Sequence, residues 1–155
     1  MNKELRMIVG AGAAILSASS CSQNERPNVI LIVADDIGYG DLSCYGATEV
    51  STPNVDSLAD AGIRFTNAHT CASTSTPSRY SLLTGMYPFR REGTDIAAGN
   101  AGMIIRPEQY PLADVFQSAG YKTAAIGKWH LGMGDGYVDW NNVITPSANS
   151  VGFDY

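Results

Sequence analysis

Val29-Ile30-Leu31-Ile32-Val33-Ala34-Asp35-Asp36 is the stretch on which the reading of the fold turns. Six apolar residues, rich in β-branched side chains, run without alternation and stop abruptly at two adjacent acids. A short apolar run of this kind reads as a strand covered on both faces, as strands of parallel sheets are. Downstream, helical and strand patterns alternate. Pro53 opens a helical segment with Val55, Leu58, Ala59 and Ala61 on one side, and Gly62 closes it. Ile63–Ala68 reads as a second strand. Pro77 begins a helix through Leu83 with Gly85 near its end. Leu112–Ala119 repeats the helical pattern, Gly120 stops it, and Tyr121–Ile126 reads as a third strand. The fold class expected is therefore α/β with a mostly parallel sheet. Residues 86–109 and 132–155 carry no sustained periodicity and read as loop-rich.

The composition is that of a globular protein: 155 residues, 45% hydrophobic and 16% charged. Disorder, collagen-like repeats and a multi-span membrane protein are excluded. A net charge of −5 and a pI near 4.8 argue against a general nucleic-acid binder. Three cysteines are too few for a disulfide-built scaffold. Cys44 and Cys71 fit either a single bond or two free thiols.

Residues 1–20 read as an export signal. Lys3 and Arg6 form a basic start, Met7–Leu16 an apolar core, and Ser17-Ala18-Ser19-Ser20 a run of small residues before Cys21. The core is shorter than the roughly 20 residues that a membrane span needs. Cys21 after small residues resembles a bacterial lipobox, in which it would be lipidated; an ordinary secretory signal with an incidental cysteine is the other reading. Residues 21–26 then form a polar tether. The absence of an Asn-x-Ser/Thr sequon favours a bacterial envelope over a eukaryotic secretory route.

Three clusters carry candidate chemistry. Asp35 and Asp36 end the apolar run, where open α/β sheets collect ligands. Two adjacent carboxylates repel unless a hard cation or protons compensate, although a pair of solvated turn acids reads the same way. The second cluster is Ser75-Thr76-Pro77-Ser78-Arg79. With Pro77 in the first turn, Ser75 lies at a helix N-terminus, which favours negative charge, and Arg79 follows one turn later. Its guanidinium fits an oxyanion or a nucleophile on Ser75, and equally a surface charge beside a capping hydroxyl. The third is Gly127-Lys128-Trp129-His130-Leu131-Gly132. In extended backbone Lys128 and His130 project to one side, giving a fixed charge and a group that exchanges protons near neutral pH. A solvated loop with Trp129 packed inward is the alternative. Together the three suit transfer of a tetrahedral oxyanion.

The stretch Ser75-x-Pro77-Ser78-Arg79, followed by Leu82-Leu83-Thr84-Gly85, resembles the signature of type I, formylglycine-dependent sulfatases. Pro27-Asn28-Val29 through Asp35-Asp36-Ile37-Gly38-Tyr39-Gly40-Asp41 is similar to the family's first strand and metal loop. Thr52-Pro53-Asn54-Val55-Asp56, with Gly62-Ile63-Arg64-Phe65, and the block from Gly120-Tyr121 to Gly132 resemble further family segments. The resemblance covers nearly all of residues 27–155. It implies an alkaline-phosphatase-like sandwich with one Ca2+ ion. It implies that Ser75 is oxidised to formylglycine (3-oxoalanine) by a serine-type maturase. The aldehyde hydrate would then attack sulfur with one hydroxyl and expel sulfate through the other. On this resemblance Asp35, Asp36 and modified Ser75 bind calcium, and Arg79 orients the hydrate. Lys128 contacts sulfate, and His130 assists proton loss. Cys71 does not fit the modification motif, because the positions that need Pro and Arg hold Ser73 and Ser75.

The family's later Asp-Asn pair and its substrate-binding His and Lys have no counterpart before Tyr155. The expectation is the N-terminal part of a longer sulfatase catalytic domain, exported to the bacterial periplasm or held as an outer-membrane lipoprotein. Such a protein would act on a sulfated carbohydrate or aryl sulfate, bind no nucleic acid and meet a membrane only through its lipid. Residues 27–155 in isolation are expected to bind calcium weakly and to turn over little. Two alternatives are a phosphate- or phosphonate-ester hydrolase of the same superfamily and a non-catalytic glycan-binding lipoprotein. Arg90 and Arg91 fit either a sulfated-glycan cleft or a solvated loop.

Overall fold

A computed structural model describes residues 26–155. The expected signal segment and Cys21 lie outside the described residues. The chain divides into two units at Ala34/Asp35. In the first, residues 26–34 form no regular secondary structure, and Val29, Ile30, Leu31, Ile32 and Val33 are exposed.

The second unit, residues 35–155, is built on three helices, α1 (Pro53–Ala61), α2 (Ser75–Thr84) and α3 (Leu112–Ser118), with short 3-10 turns before α1, between α2 and α3, and after α3. Pro53 occupies the first turn of α1, where its missing N–H has no partner to lose. The expected apolar side of α1 is not covered among the described residues: Leu58 is 67% exposed. Helix α2 starts at Ser75, two residues before the expected Pro77. It stops at Gly85, whose φ of 67° turns the backbone left-handed and whose N–H bonds the Ser81 carbonyl. Glycine takes that conformation without the Cβ clash that other residues meet.

No strand forms among the described residues, so the strands expected at 29–34, 63–68 and 121–126 are not seen there. A strand is a property of a ladder, and an apolar run with no paired neighbour satisfies no ladder hydrogen bonds. Segment 121–126 comes nearest. Tyr155 N donates to Thr123 O at 3.2 Å and Ala125 N donates to Tyr155 O at 2.9 Å, slanted about Ala124 as in a parallel pair.

The core joins α2 to three loop segments. Tyr80, Met103, Ile105, Leu131 and Val151 are buried, with Leu83, Ile104, Trp129 and Phe153 packed on them. Residues 101–104 run beside 131–134 through Ile104 N to Leu131 O and Met133 N to Ala101 O. The approach needs Gly132, because a Cβ there would lie 1.9 Å from the Gly102 carbonyl oxygen. Trp129 packs edge-on against Phe153 and donates its indole N–H to Gly132 O at 2.8 Å. This inward anchor holds the backbone of its neighbours Lys128 and His130.

Asp154 ties the last residues to this frame. Its carboxylate accepts the Thr123 N–H at 2.9 Å and faces Lys122 Nζ at 3.2 Å. The Thr123 hydrogen bond, then Lys122, hold its pKa below the ordinary aspartate value against the opposing effect of burial. A depressed folded-state pKa gives stability that is present above the unfolded value and lost as pH falls through the folded one. Asp154→Asn in the full-length protein is therefore expected to lower the melting temperature at pH 7. The gap to the unsubstituted protein should close as pH drops below about 4. Melting curves from pH 7 to 3 check this, and a gap independent of pH would remove the charge from the account.

Candidate active site

Thr74, the residue before helix α2, is extended and gives the first-turn N–H groups no side-chain cap. Ser75 is the first helical residue, at the positive end of the helix dipole. Arg79 lies one turn later and curls back, its Nε donating to Ser75 Oγ at 2.9 Å. The same guanidinium donates from Nη1 to the Lys128 carbonyl at 2.7 Å and sets Nη2 3.7 Å from Asp35 Oδ1. One side chain, 14% exposed, thus touches all three clusters marked in the sequence.

Lys128 Nζ contacts the other oxygen of Asp35, closing an Arg79–Asp35–Lys128 triangle. The hydrogen bond from Lys128 holds the Asp35 carboxyl below the usual aspartate range. Burial opposes it, while the charges of Lys128, Arg79 and His130 reinforce it. Asp36 sits beside it in left-handed backbone with φ of 57° and an exposed side chain, in no hydrogen bond or ion pair among the described residues.

His130 also has left-handed backbone, with φ of 50°. Its Nε2 lies 3.1 Å from the Ala97 carbonyl oxygen. If Nε2 carries the proton it donates to that carbonyl, which leaves Nδ1 as a proton acceptor. Nδ1 is buried without a hydrogen-bond partner. The ring is thus held by Ala97 rather than by Ser75.

Two contributors were not singled out by the sequence. Thr76, fully buried, donates its hydroxyl to the His130 carbonyl at 3.0 Å and accepts the Ala97 N–H at 3.1 Å. Ala97 acts through backbone alone, which no residue type could have signalled. It also lies on the wall of an open pocket of about 450 Å³ lined in part by Arg91, Asp95, Arg106 and Tyr137. Arg90 is exposed in a 3-10 turn, outside that lining. Cys44 and Cys71 are both free thiols.

For a hard cation, Asp35 and Asp36 are donors of the right chemistry and too few in number, since calcium takes six to eight oxygens. Among the described residues no group of three or more His, Cys, Asp or Glu side chains gathers.

The sequence profile of the family described as Sulfatase matches residues 27–152. N-acetylgalactosamine-6-O-sulfatase of Bacteroides thetaiotaomicron is 57% identical over 133 residues, which cover 85% of this chain and 26% of that protein. Human arylsulfatase A is 46% identical over 135 residues, 85% of this chain and 25% of that protein. Among solved structures, a B. thetaiotaomicron 6S-sulf protein described with the metabolism of multiple glycosaminoglycans superposes with a TM-score of 0.82. It is 58% identical, over 84% of this chain and 27% of that one. Ps i-CgsB, solved in complex with k-i-k-neocarrahexaose, superposes with a TM-score of 0.69 at 36% identity, over 84% of this chain and 27% of that one. The chain spans about a quarter of the length of these relatives.

Proposed function

Because the chain belongs to the sulfatase family, we propose that the protein it forms part of hydrolyses sulfate esters, with Ser75 as the residue that becomes the nucleophile. The observation that carries this reading is the Arg79 guanidinium, which meets Ser75 Oγ, the Lys128 carbonyl and Asp35 at once.

The chemistry asks for a nucleophile held beside positive charge and for cations facing the sulfuryl oxygens. Arg79 lowers the cost of negative charge on the oxygen at position 75, and the N-terminus of α2 adds its dipole in the same sense. Lys128, half-exposed beside that group, is the cation for the sulfate oxygens. His130, if it carries its proton on Nε2, presents Nδ1 as the acceptor for a proton leaving the nucleophile. An ordinary serine would end as a stable sulfate ester. A formylglycine hydrate has a second hydroxyl with which to expel sulfate, which is the chemistry that oxidation of Ser75 by a serine-type maturase supplies.

Asp35 and Asp36 are the residues that would hold calcium, together with an oxygen at position 75 and ligands from the longer protein. A bound calcium would supply further positive charge toward the sulfate. Ca2+ fits the hard carboxylate donors better than a transition metal does. We place the rest of the catalytic domain in the part of the relatives' length that this chain does not span, so that residues 27–155 alone would not turn over. Residues 1–20 would serve as an export signal and Cys21 as a lipidation site, which would put the protein in the bacterial periplasm or at the outer membrane. The likeness to N-acetylgalactosamine-6-O-sulfatase and to a protein solved with k-i-k-neocarrahexaose supports a sulfated carbohydrate as substrate.

The test is mass spectrometry of the full-length protein expressed with a serine-type maturase. The tryptic peptide Phe65–Arg79 is expected to lose two hydrogens, as oxidation of Ser75 to the aldehyde requires. Intact serine, under conditions that convert a control sulfatase, would sink the formylglycine mechanism.

A further inference from the structure

We infer that Thr76, the residue after the proposed nucleophile, is a positioning residue for His130. The inference rests on the reading of the site given above, in which His130 takes a proton from the nucleophile.

Thr76 is 0% exposed, though it sits in the first turn of a helix that carries a reactive group. Its hydroxyl makes two backbone contacts that are far apart in sequence. It donates to the carbonyl of His130, 54 residues away, and accepts the N–H of Ala97, 21 residues away. Ala97 completes the circuit, because its carbonyl oxygen lies 3.1 Å from His130 Nε2. One hydroxyl therefore fixes both the backbone that bears the imidazole and the carbonyl that holds the ring.

The backbone at His130 has need of such a hold. A φ of 50° is uncommon for a non-glycine residue, because Cβ crowds the neighbouring carbonyl. A hydroxyl serves both partners from one atom, giving a proton to the His130 carbonyl and receiving one from the Ala97 N–H. Valine has almost the same shape and can do neither, so Thr76→Val leaves one part-buried acceptor and one part-buried donor unpaired. The circuit also takes up Nε2 and leaves Nδ1 as the ring nitrogen without a hydrogen-bond partner. Thr76 touches no reacting atom in this arrangement and acts through His130 and Ala97.

The experiment compares Thr76→Val, Thr76→Ser and His130→Ala in the full-length protein, with the formylglycine content of each measured by mass spectrometry. Activity is expressed per converted, folded molecule. Thr76→Val is expected to lower kcat about 10- to 100-fold with KM changed far less, as misplacement of a proton acceptor does. Thr76→Ser keeps both hydrogen bonds and is expected to restore kcat to within a few-fold. In a His130→Ala background, Thr76→Val is expected to cost almost nothing more, because residues that act through one another are not additive. Equal losses in both backgrounds, or an unchanged kcat in Thr76→Val, would overturn the inference. A crystal structure of Thr76→Val supplies a readout free of turnover. The His130 ring is expected to leave the Ala97 carbonyl, and a ring that stays in place refutes the role even if sulfate release has failed for every variant. If Thr76→Val does not fold, Thr76→Ser decides: a kcat as low as that of His130→Ala refutes the brace. Failure of the unsubstituted, formylglycine-bearing protein to release sulfate would instead count against the proposed reaction.

Discussion

Ser75→Ala is expected to remove sulfate release from the full-length protein to at least about one part in 10⁴ of its rate, the scale seen when a covalent nucleophile is lost. The expectation follows from what alanine deletes. Ser75 Oγ is the acceptor for Arg79 Nε, and it is the atom from which oxidation would build the aldehyde. Alanine offers no oxygen to a maturase and none to sulfur. The substitution is mild for the fold, since Ser75 caps nothing: no side-chain cap bond is formed at the start of α2, and alanine is a good helix former. Thr76 and Tyr80, which pin α2 to its surroundings, are untouched. The check is sulfate release measured beside the melting temperature and the mass of peptide Phe65–Arg79. An unmoved melting point with no turnover and no two-hydrogen loss is the expected triple. Retention of more than a few per cent of the rate would mean that another group attacks sulfur.

The helices were legible because their signals are local. Pro53 and Gly62 bracket α1 in the chain as they do in space, and Gly85 ends α2 with the left-handed backbone its residue type favours. The three clusters were legible too, because each is a compact group of chemically unusual neighbours. What joins them was not. The Asp35–Lys128 contact spans 93 residues and the Arg79–Lys128 contact 49. In the third cluster Trp129 packs inward, but His130 has left-handed rather than the expected extended backbone, so Lys128 meets Asp35 while the His130 ring meets Ala97. Thr76 gave no sign, since a threonine in a first helical turn more often faces water than a buried pair of backbone groups. The strands expected at 29–34, 63–68 and 121–126 depend on something a local signal does not carry. An apolar run such as 29–34 records what a residue prefers as surroundings, whereas a strand is made by its ladder with a second segment.

Arg79→Lys preserves the charge and is expected to lower kcat about 10²- to 10³-fold nonetheless, the range found when one donor to a developing oxyanion is removed. The reason is geometric. Arg79 uses Nε, Nη1 and Nη2 in three directions at once, toward Ser75 Oγ, the Lys128 carbonyl and Asp35. A lysine has one nitrogen on a flexible stem and cannot occupy those three corners together. If it follows Asp35, the oxygen at position 75 loses its donor and its negative charge becomes harder to hold. If it follows position 75, the Lys128 carbonyl goes unpaired and the loop bearing Lys128 and His130 loosens from α2. Each choice damages a different step, so kcat should suffer more than KM, and free guanidine compounds have little room to compensate at a side chain 14% exposed. Steady-state kinetics of Arg79→Lys, with formylglycine content measured to separate failed maturation from failed chemistry, decides the matter. A converted Arg79→Lys protein within threefold of the unsubstituted kcat would show that charge alone suffices, and that the three-way fork is architecture without catalytic consequence.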